Sequence, residues 1–256
     1  MQQHPKKNDL SDTTDFGFQT VAKHEKKSLV NSVFSSVAPR YDVMNDLMSL
    51  GIHRLWKRYF VATAQVKPGD QVLDLAGGTG DVAALLRPRI HPNGTIVLAD
   101  INQDMLCVGR DRLINQGCVQ NIAYVQCNAE HLPFPQNTFH LVTMAFGLRN
   151  VTDKQRALEE IYRVLKPGGQ VHILEFSHLQ ISWFRPIYDI HSFYVLPLLG
   201  RIIANDTASY RYLAESIRKH PPQEVLLSDM EKAGFGLCRY KNLSGGIVAV
   251  HTGYKT

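Results

Sequence analysis

A turn rich in glycine and flanked by two acids offers the first chemistry in this chain. The apolar run Val72-Leu73-Asp74-Leu75 leads into Ala76-Gly77-Gly78-Thr79-Gly80-Asp81, and a helical pattern begins at Val82. Glycines at such a turn allow positive φ and a close approach of the backbone to a ligand. The start of the helix then directs free N–H groups at that ligand. The pattern predicts a strand, a tight turn and a helix that bind a nucleotide-like cofactor.

Two classes of cofactor compete for this turn. Gly78-x-Gly80-x-x-Ala83 matches the dinucleotide fingerprint loosely, which by itself is a weak signal. Asp74-x-Ala76-x-Gly78-x-Gly80 resembles the Asp/Glu-x-Gly-x-Gly-x-Gly turn of S-adenosylmethionine-dependent methyltransferases, with alanine at the first glycine position. Asp74 is expected to face the positively charged amino group of that cofactor, whereas it would disfavour a pyrophosphate. The third alternative is a turn that only joins a strand to a helix.

A second acid strengthens the cofactor hypothesis. The run 95–100 reads as a strand, and it ends at Asp100, 20 residues after Gly80. An acid at this place accepts hydrogen bonds from both hydroxyls of a ribose. Asp100 is therefore predicted to bind the ribose of the cofactor.

The elements that must position these residues alternate along the chain. Strands are predicted at 72–75, 95–100, 122–127, 139–146 and 169–176, helices at 103–115 and 154–165, and a terminal hairpin at 236–242 and 247–252. Strands that alternate with helices at this spacing form βαβ units and a parallel sheet. The fold class predicted is α/β.

Length and composition favour one large domain with additions. The chain has 256 residues and a formal net charge of +5, which permits contact with an anionic surface without requiring it. The four cysteines show no C-x-x-C pairing, so they fit a reducing cytosol and no metal site is predicted. No apolar leader and no run of about 18 apolar residues occurs, so neither secretion nor membrane spanning is expected.

The regions of the chain differ in pattern. Residues 1–18 are predicted to be a disordered tail, and 19–256 a single domain. Within it, 19–66 read as a helical lid, 67–180 as the cofactor-binding core, 181–222 as a substrate-covering insertion and 223–256 as terminal strands. The stretch 185–204 is rich in large apolar and aromatic residues, and with the lid it is predicted to form an apolar mouth.

Three further motifs carry a resemblance to a known family. They are Arg40-Tyr41-Asp42-x-Met44-Asn45-Asp46 in the lid, Phe146-Gly147-Leu148-Arg149-Asn150-Val151 after the fourth strand, and Asn205-Asp206-x-x-Ser209-Tyr210. Together with the glycine turn they resemble the ubiquinone/menaquinone biosynthesis C-methyltransferase family, the UbiE type. The resemblance covers residues 16–254.

The resemblance implies a class I methyltransferase fold, a Rossmann-like, seven-stranded and mostly parallel sheet with helices on both faces and a helical N-terminal lid. It implies methyl transfer from S-adenosylmethionine to a ring carbon of a polyprenylated quinol. The substrate would be demethylmenaquinol for menaquinone or 2-polyprenyl-6-methoxy-1,4-benzoquinol for ubiquinone. A methyltransferase of another lipid or small aromatic compound is the alternative. A nucleic-acid partner would call for a basic aromatic surface or an added domain, and neither is visible.

Family cofactor positions carry over to Thr79, Asp100, Asn128 and Ala129, beside Asp74, Gly78 and Gly80 from the turn itself. Ala145 stands where many relatives have serine, so a hydrogen bond from that side chain is absent. Asn128 has an alternative role as the N-cap of a following helix.

The catalytic candidates follow the fourth strand and lie on the lid. Arg149 and Asn150 are predicted to stabilise the reacting quinol, while Tyr41 and Asp46 orient a water that takes its proton. The alternative for Arg149 is a bridge to a carboxylate that only holds the loop. The alternative for Tyr41, with equal weight, is an aromatic side chain of the core.

The expected partners are a polyprenylated quinol and, because that substrate resides in lipid, peripheral contact with a membrane. A homodimer or a quinone-biosynthesis complex is also expected, and no nucleic acid. The predicted location is the cytoplasm, peripherally at the inner membrane.

Overall fold

The computed structural model describes residues 12–180 and 207–256. The apolar stretch 185–204 lies outside the described residues, and so does most of the predicted insertion. Within the described part of the chain, every helix is too short or too polar to cross a bilayer.

The described chain begins with a hairpin that sequence analysis missed. Strand β1 (Thr13–Phe16) pairs antiparallel with β2 (Gln19–Ala22). The prediction of a disordered tail up to residue 18 is therefore wrong for β1. The ring of Phe16 stacks on Tyr212 at 4.2 Å, and the N–H of Phe18 donates to Glu215 at 3.0 Å. A four-residue hairpin is marginal alone, so these distant contacts are what stabilise it.

Three helices follow in the region predicted to be a lid. They are α1 (Lys23–Val37), α2 (Tyr41–Ser49) and α3 (His53–Thr63). The predicted helical lid begins at residue 19, but β2 occupies 19–22 and the first helix starts at Lys23. Gly51, with φ +78, ends the turn between α2 and α3 in a conformation that glycine adopts readily.

The central sheet has seven strands among the described residues. They are β3 (Gln71–Leu75), β4 (Thr95–Asp100), β5 (Ile122–Gln126), β6 (Phe139–Ala145), β7 (Leu165–Phe176), β8 (Phe235–Leu243) and β9 (Val248–Lys255). Their spatial order is β5-β4-β3-β6-β7-β9-β8, and β9 alone runs against its neighbours. The predicted mostly parallel sheet of seven strands is confirmed.

Helices cover both faces of this sheet. They are α4 (Asp81–Ile90), α5 (Gln103–Asn115), α6 (Lys154–Val164), α7 (Thr207–Lys219) and α8 (Gln223–Lys232). Helices α3, α4 and α5 pack in one apolar cluster, and α6 and α8 pack in a second cluster with strand residues of the opposite parity. Alternate strand residues point to opposite faces, which is why two separate cores form. Residues 223–256 were expected to form terminal strands, but the first ten of them form α8, and β8 and β9 follow it.

Ion pairs join the lid helices to the core. Asp81, the first residue of α4, binds Lys57 of α3 and Arg112 of α5, and Arg112 reaches Asp42 of α2 at 3.0 Å. Burial opposes ionisation of Asp81, but the two cations outweigh it and lower its pKa. Because buried pairs need both partners, this network sets the position of α2 and α3 relative to the glycine turn.

Candidate active site

The glycine turn after β3 lies directly against α5. Gly78 has φ +52, and a Cβ on Gly109 of α5 would come within 2.5 Å of the Gly78 carbonyl oxygen. Only glycine at position 109 permits this approach. Sequence analysis did not identify Gly109, because a glycine inside a helical pattern does not reveal which backbone lies opposite it.

Asp100 braces the same turn from the end of β4. Its Oδ2 accepts a hydrogen bond from the Gly78 N–H at 3.0 Å, and its Oδ1 accepts one from the Asn102 N–H at 2.9 Å. Burial raises the pKa of Asp100, while these N–H groups favour the carboxylate. The carboxylate has further lone pairs for a ligand, which fits its predicted role toward a ribose.

We expect Asp100→Asn to weaken cofactor binding by about tenfold or more, because charge-assisted hydrogen bonds of roughly 1.5–3 kcal/mol each are lost. The amide would also turn its NH₂ toward one of the two backbone N–H groups. Titration calorimetry with S-adenosylmethionine measures the change. Asp104→Asn, an exposed site in the first turn of α5, is the control. Equal affinities of the two variants would contradict the ribose role.

A cavity of about 460 Å³ opens beside Asp100. One wall comes from the carboxyl ends of the sheet strands and the loops that follow them, and the other from α1 and Tyr41. Its lining includes the predicted residues Tyr41, Gly78, Asp100, Asn128, Ala129 and Asn150. Strand ends of a parallel sheet converge at one edge, so the structure brings together residues that are up to 109 positions apart in the chain.

Asp74 does not line this cavity. It is completely buried beneath the turn, and its Oδ1 accepts a hydrogen bond from Thr143 Oγ1 at 2.8 Å. Burial raises the pKa of Asp74 to about 7. This bond links β3 to β6, while Asp74 Oδ2 has no hydrogen-bond partner among the described residues. The contact of Asp74 with the amino group of the cofactor stays a prediction.

Three other predicted cofactor residues also lie off the cavity. Thr79 is buried, the Gly80 N–H donates to the Gly77 carbonyl at 2.9 Å, and Ala145 packs against the core. They shape the turn and its support. Their side chains are not part of the described cavity wall.

Asp46 is committed to other partners. It binds Arg54 at 2.6 Å and His53 at 2.9 Å, and the hydrogen bond from Arg54 lowers its pKa. These bonds tie α2 to α3. Asp46 does not line the cavity, and its role in orienting a water at the reacting ring stays a prediction.

Arg149 lies behind the cavity in a buried ion pair. Its guanidinium donates to Glu175 Oε1 at 2.8 Å and to the Phe146 carbonyl, while its backbone N–H donates to Glu175 Oε2 at 3.1 Å. The guanidinium also lies 5.3 Å from the centre of the Phe176 ring. The geometry agrees with the alternative role, a bridge that holds the 3₁₀ turn Leu148–Asn150.

Asn150 is the polar group that this turn presents to the cavity. Its Oδ1 accepts a hydrogen bond from the Tyr212 hydroxyl at 2.9 Å. No residue in 12–180 or 207–256 accepts a hydrogen bond from its Nδ2, so two N–H donors are available to a ligand. Burial raises the pKa of Tyr212 to about 12, so the phenol stays protonated and holds the amide in this orientation.

The loops after β5 and β6 bind each other. Asn128 Oδ1 accepts from the Glu130 N–H at 3.1 Å, and Glu130 Oε1 accepts from the N–H groups of Thr152 and Asp153 at 3.1 and 3.2 Å. The N-cap alternative for Asn128 is wrong, because no helix begins after it before β6. Glu130 was missed, since nothing in its local sequence sets it apart from a surface acid.

Asn102 connects α1 to the cofactor side of the cavity. Its Oδ1 caps α5 by accepting from the Met105 N–H at 2.9 Å. Its Nδ2 lies 3.0 Å from the Asn31 carbonyl, 2.8 Å from Asn31 Oδ1 and 2.9 Å from Ser35 Oγ. The side chain of Asn102 thus caps α5 and also holds α1 in place, next to Asp100.

We expect Asn102→Asp to loosen α1 selectively. Aspartate is an equally good N-cap, but it lacks the N–H donors that α1 uses. Opening of α1 should become about tenfold more frequent, because one to two hydrogen bonds of about 1 kcal/mol are lost. Hydrogen exchange followed by mass spectrometry measures α1 and α5 in one experiment. Asn115→Asp at the other end of α5 controls for charge, and unchanged exchange in α1 would refute the connection.

Lys26 is a buried cation on the inner side of α1. Its Nζ donates to the Val151 carbonyl at 3.3 Å. Burial, with a smaller contribution from Lys154, lowers its pKa from 10.5 to about 8. At a pH between about 8 and 10.5, Lys26 is therefore protonated in the unfolded chain and deprotonated in the folded protein.

Stability should therefore rise with pH from about 8 to about 10.5 through Lys26. In Lys26→Met this contribution is absent, so the free energy of unfolding should climb less steeply over the same window. Urea unfolding at several pH values measures it, with the exposed neighbour Lys27→Met as the control. Identical slopes for wild type and Lys26→Met would contradict the burial of this charge.

Within the described residues, no three His, Cys, Asp or Glu side chains are grouped so that they could hold a metal ion.

Comparison with known proteins defines the family. The model of the ubiE/COQ5 methyltransferase family matches residues 19–255. The chain belongs to this family. The family predicted from the motifs is thereby confirmed, as are methyl transfer and S-adenosylmethionine as its donor.

Two relatives show how close the similarity is. The "Ubiquinone/menaquinone biosynthesis C-methyltransferase UbiE" of Stenotrophomonas maltophilia (strain R551-3) is 66% identical over 245 residues, 96% of this chain and 97% of the relative. The protein of the same name from Xylella fastidiosa (strain 9a5c) is 68% identical over 243 residues, 95% and 96% of the two chains.

Solved structures share the fold of this methyltransferase at low identity. A SAM-dependent methyltransferase from Aquifex aeolicus has a TM-score of 0.59 at 18% identity, over 84% of this chain and 98% of its own. The [4+2]-cyclase SpnF has a TM-score of 0.64 at 17% identity, over 90% and 96%. At such identities the likeness shows the fold alone.

Proposed function

We propose that this methyltransferase transfers a methyl group to a ring carbon of a polyprenylated quinol in quinone biosynthesis. The substrate is demethylmenaquinol, 2-polyprenyl-6-methoxy-1,4-benzoquinol, or both. The observation that carries the proposal is that Asp100 and the free amide donors of Asn150 line one cavity. The names of the relatives at 66% and 68% identity support the choice of quinone biosynthesis.

The residues on one side of the cavity fit S-adenosylmethionine. Gly78 has no Cβ to obstruct a ligand, and the buried carboxylate of Asp100 can accept from ribose hydroxyls. Asn128 and Ala129 follow β5 and line the same cavity, so they would contact the bound cofactor. When bound, this donor supplies a methyl group already activated as a sulfonium, so the protein has to place the acceptor carbon rather than protonate a leaving group.

On the other side, the cavity is suited to a phenolate. A quinol carbon becomes nucleophilic as the neighbouring hydroxyl loses its proton, and a phenol titrates near ~10. N–H donors aimed at the developing oxygen charge lower that barrier. Asn150 supplies two such donors, and the cations of Lys23 and Lys27 line the same cavity. Tyr212, with its raised pKa, acts as a hydrogen-bond donor and not as a base.

Apolar side chains complete the acceptor side. Val30 and Phe34 of α1 line the cavity together with Phe146. They exclude water from the ring, which strengthens the electrostatic effect of the nearby donors. Helix α1 is therefore part of the site, and its hydrogen bonds to Asn102 hold it there.

Mass spectrometry of quinones from a strain lacking the gene tests the proposal. Accumulation of demethylmenaquinone, of the demethylated ubiquinone precursor, or of both identifies the substrate. Complementation with the wild-type gene should restore the product, and the Asp100→Asn gene should restore less. Normal quinones in the deletion strain, with a different methylated lipid missing, would favour the alternative substrate class.

A further inference from the structure

The outer surface of α2 and α3 exposes an unusual amount of apolar side chain. Of the eleven large hydrophobic residues that are exposed in the described chain, five lie between positions 43 and 59. Leu50, at the tip of the turn, is 77% exposed and Leu55 is 61% exposed. We call the following group the outer α2–α3 surface: Val43, Leu50, Ile52, Leu55, Arg58 and Tyr59.

This exposure follows the periodicity of α3. Ile52, Leu55 and Tyr59 are spaced three and four residues apart, so they share one side of the helix. The side about 100° further round the helix carries Trp56 and Phe60, which are buried in the core. Helix α3 is thus apolar on two sides, and only one of them is used by the fold. Contiguous exposed apolar surface of this kind marks an interaction site.

The charges on α3 all have the same sign. Its basic residues are His53, Arg54, Lys57 and Arg58, and it contains no Asp or Glu. Lys57 and His53 point inward to Asp81 and Asp46. Arg58 is exposed and has no ion pair with any residue that the structure describes. The outward side therefore combines apolar side chains with an uncompensated cation.

We propose that the outer α2–α3 surface binds the surface of an anionic lipid bilayer. Leucine and isoleucine side chains insert at the boundary between headgroups and acyl chains. A tyrosine lies well at that boundary because its ring is apolar and its hydroxyl polar. Arginine keeps its guanidinium among the phosphates while its stem covers apolar surface.

A second copy of the chain is a poorer occupant of this surface. A two-fold contact is self-complementary, so it would bring Arg54 and Arg58 of one copy close to the same arginines of the other. Helix α3 has no acid, and the acids of α2, Asp42 and Asp46, are already paired with Arg112 and Arg54. An anionic bilayer satisfies the apolar and the cationic parts together.

Because α3 lies close to the cavity, its contact with a bilayer would help a lipid substrate to reach the site. This step rests on the proposed function. Trp56, on the inner side of α3, packs on Phe146 with ring centroids 6.4 Å apart, and Phe146 lines the cavity. The bilayer surface would thus lie about one helix diameter, roughly 10 Å, from the cavity wall. A quinol could place its ring in the cavity while its prenyl tail remained in lipid.

Vesicle sedimentation tests the proposal with the full-length protein. The probe is phosphatidylcholine vesicles with and without phosphatidylglycerol, at low and high salt. We expect binding to the anionic vesicles, and a loss of about tenfold or more in Leu50→Ser/Leu55→Ser, because two inserted apolar side chains are removed. Val119→Ser/Leu237→Ser, at sites 64% and 76% exposed, is the matched control and should bind like wild type.

The charge is tested separately. Arg58→Gln should weaken binding to anionic vesicles by about fivefold, while Arg110→Gln, an exposed arginine of α5, should not. Added salt should reduce the difference between the two.

Two outcomes would overturn the proposal. One is a wild-type protein that does not sediment with anionic vesicles, or a Leu50→Ser/Leu55→Ser variant that sediments like the control. The other is loss of a dimer or a lower melting temperature in that variant alone, which would mean that protein covers the surface. Methyl transfer to a short-tailed quinol in solution, measured on the same variants, keeps this test independent of the proposed function. That activity should be unchanged in Leu50→Ser/Leu55→Ser.

Discussion

Asn150→Asp should lower kcat about 10²- to 10³-fold, the usual scale for losing one oxyanion donor. The substitution keeps the size of the side chain and the acceptor for the Tyr212 hydroxyl. It removes both N–H donors from the cavity and places a carboxylate where the phenolate charge would develop. Steady-state kinetics with a short-tailed quinol measure kcat, and the affinity for S-adenosylmethionine should remain nearly constant.

Tyr212→Phe separates orientation from charge in the same site. It removes only the hydroxyl that holds the amide, so we expect a loss of about fivefold in kcat, corresponding to one hydrogen bond of roughly 1 kcal/mol. A folded Asn150→Asp variant that keeps kcat within a few fold of wild type would exclude the donor role of Asn150.

Arg149→Ala should destabilise the fold by about 3–5 kcal/mol, because it leaves Glu175 buried without its partner. Both side chains are almost fully buried, and Glu175 also accepts from the backbone N–H groups of Arg149 and Phe176. Chemical unfolding measures the loss. Arg156→Ala is the control. The side chain of Arg156 is exposed in its ion pairs with Glu159 and Glu160, and exposed pairs contribute only about 0–1 kcal/mol to stability.

The double substitution Arg149→Met/Glu175→Met distinguishes the two roles of Arg149. Replacing both charges by apolar groups of similar volume often restores stability. If Arg149 acts by holding the turn that carries Asn150, kcat should recover together with stability. A stable double variant without activity would instead mean that the guanidinium acts on the quinol directly, as sequence analysis first predicted.

The sheet was predictable because its signals are local. Apolar runs that end in turns, alternating with helical patterns, gave the bounds of β4 and α5 to the residue. The parallel order then follows from the handedness of βαβ connections. Since strands of such a sheet end at one edge, Asp100, Asn128 and Asn150 could be assigned to a single site without coordinates.

The hairpin and the helix bounds near it failed for the opposite reason. β1 and β2 have four residues each, and their stability comes from Phe16 and Phe18 meeting α7, about 200 positions away. No window of sequence contains that contact. The N-cap alternative for Asn128 failed because an asparagine after a strand closes a loop as readily as it starts a helix.

Sequence alone determined the fold class, the cofactor turn, the acid at the end of β4 and the loop that carries Asn150, because residue type and spacing decide these. Only the tertiary structure decided which polar groups line the cavity. Asp74, Asp46 and Arg149 are as polar as Asp100 and Asn150, yet they lie off the cavity. They bond to Thr143, to Arg54 and His53, and to Glu175, and Asp74 Oδ2 has no partner among the described residues. A buried polar group has to find a partner, and whether that partner is protein or substrate depends on neighbours that folding brings from other parts of the chain.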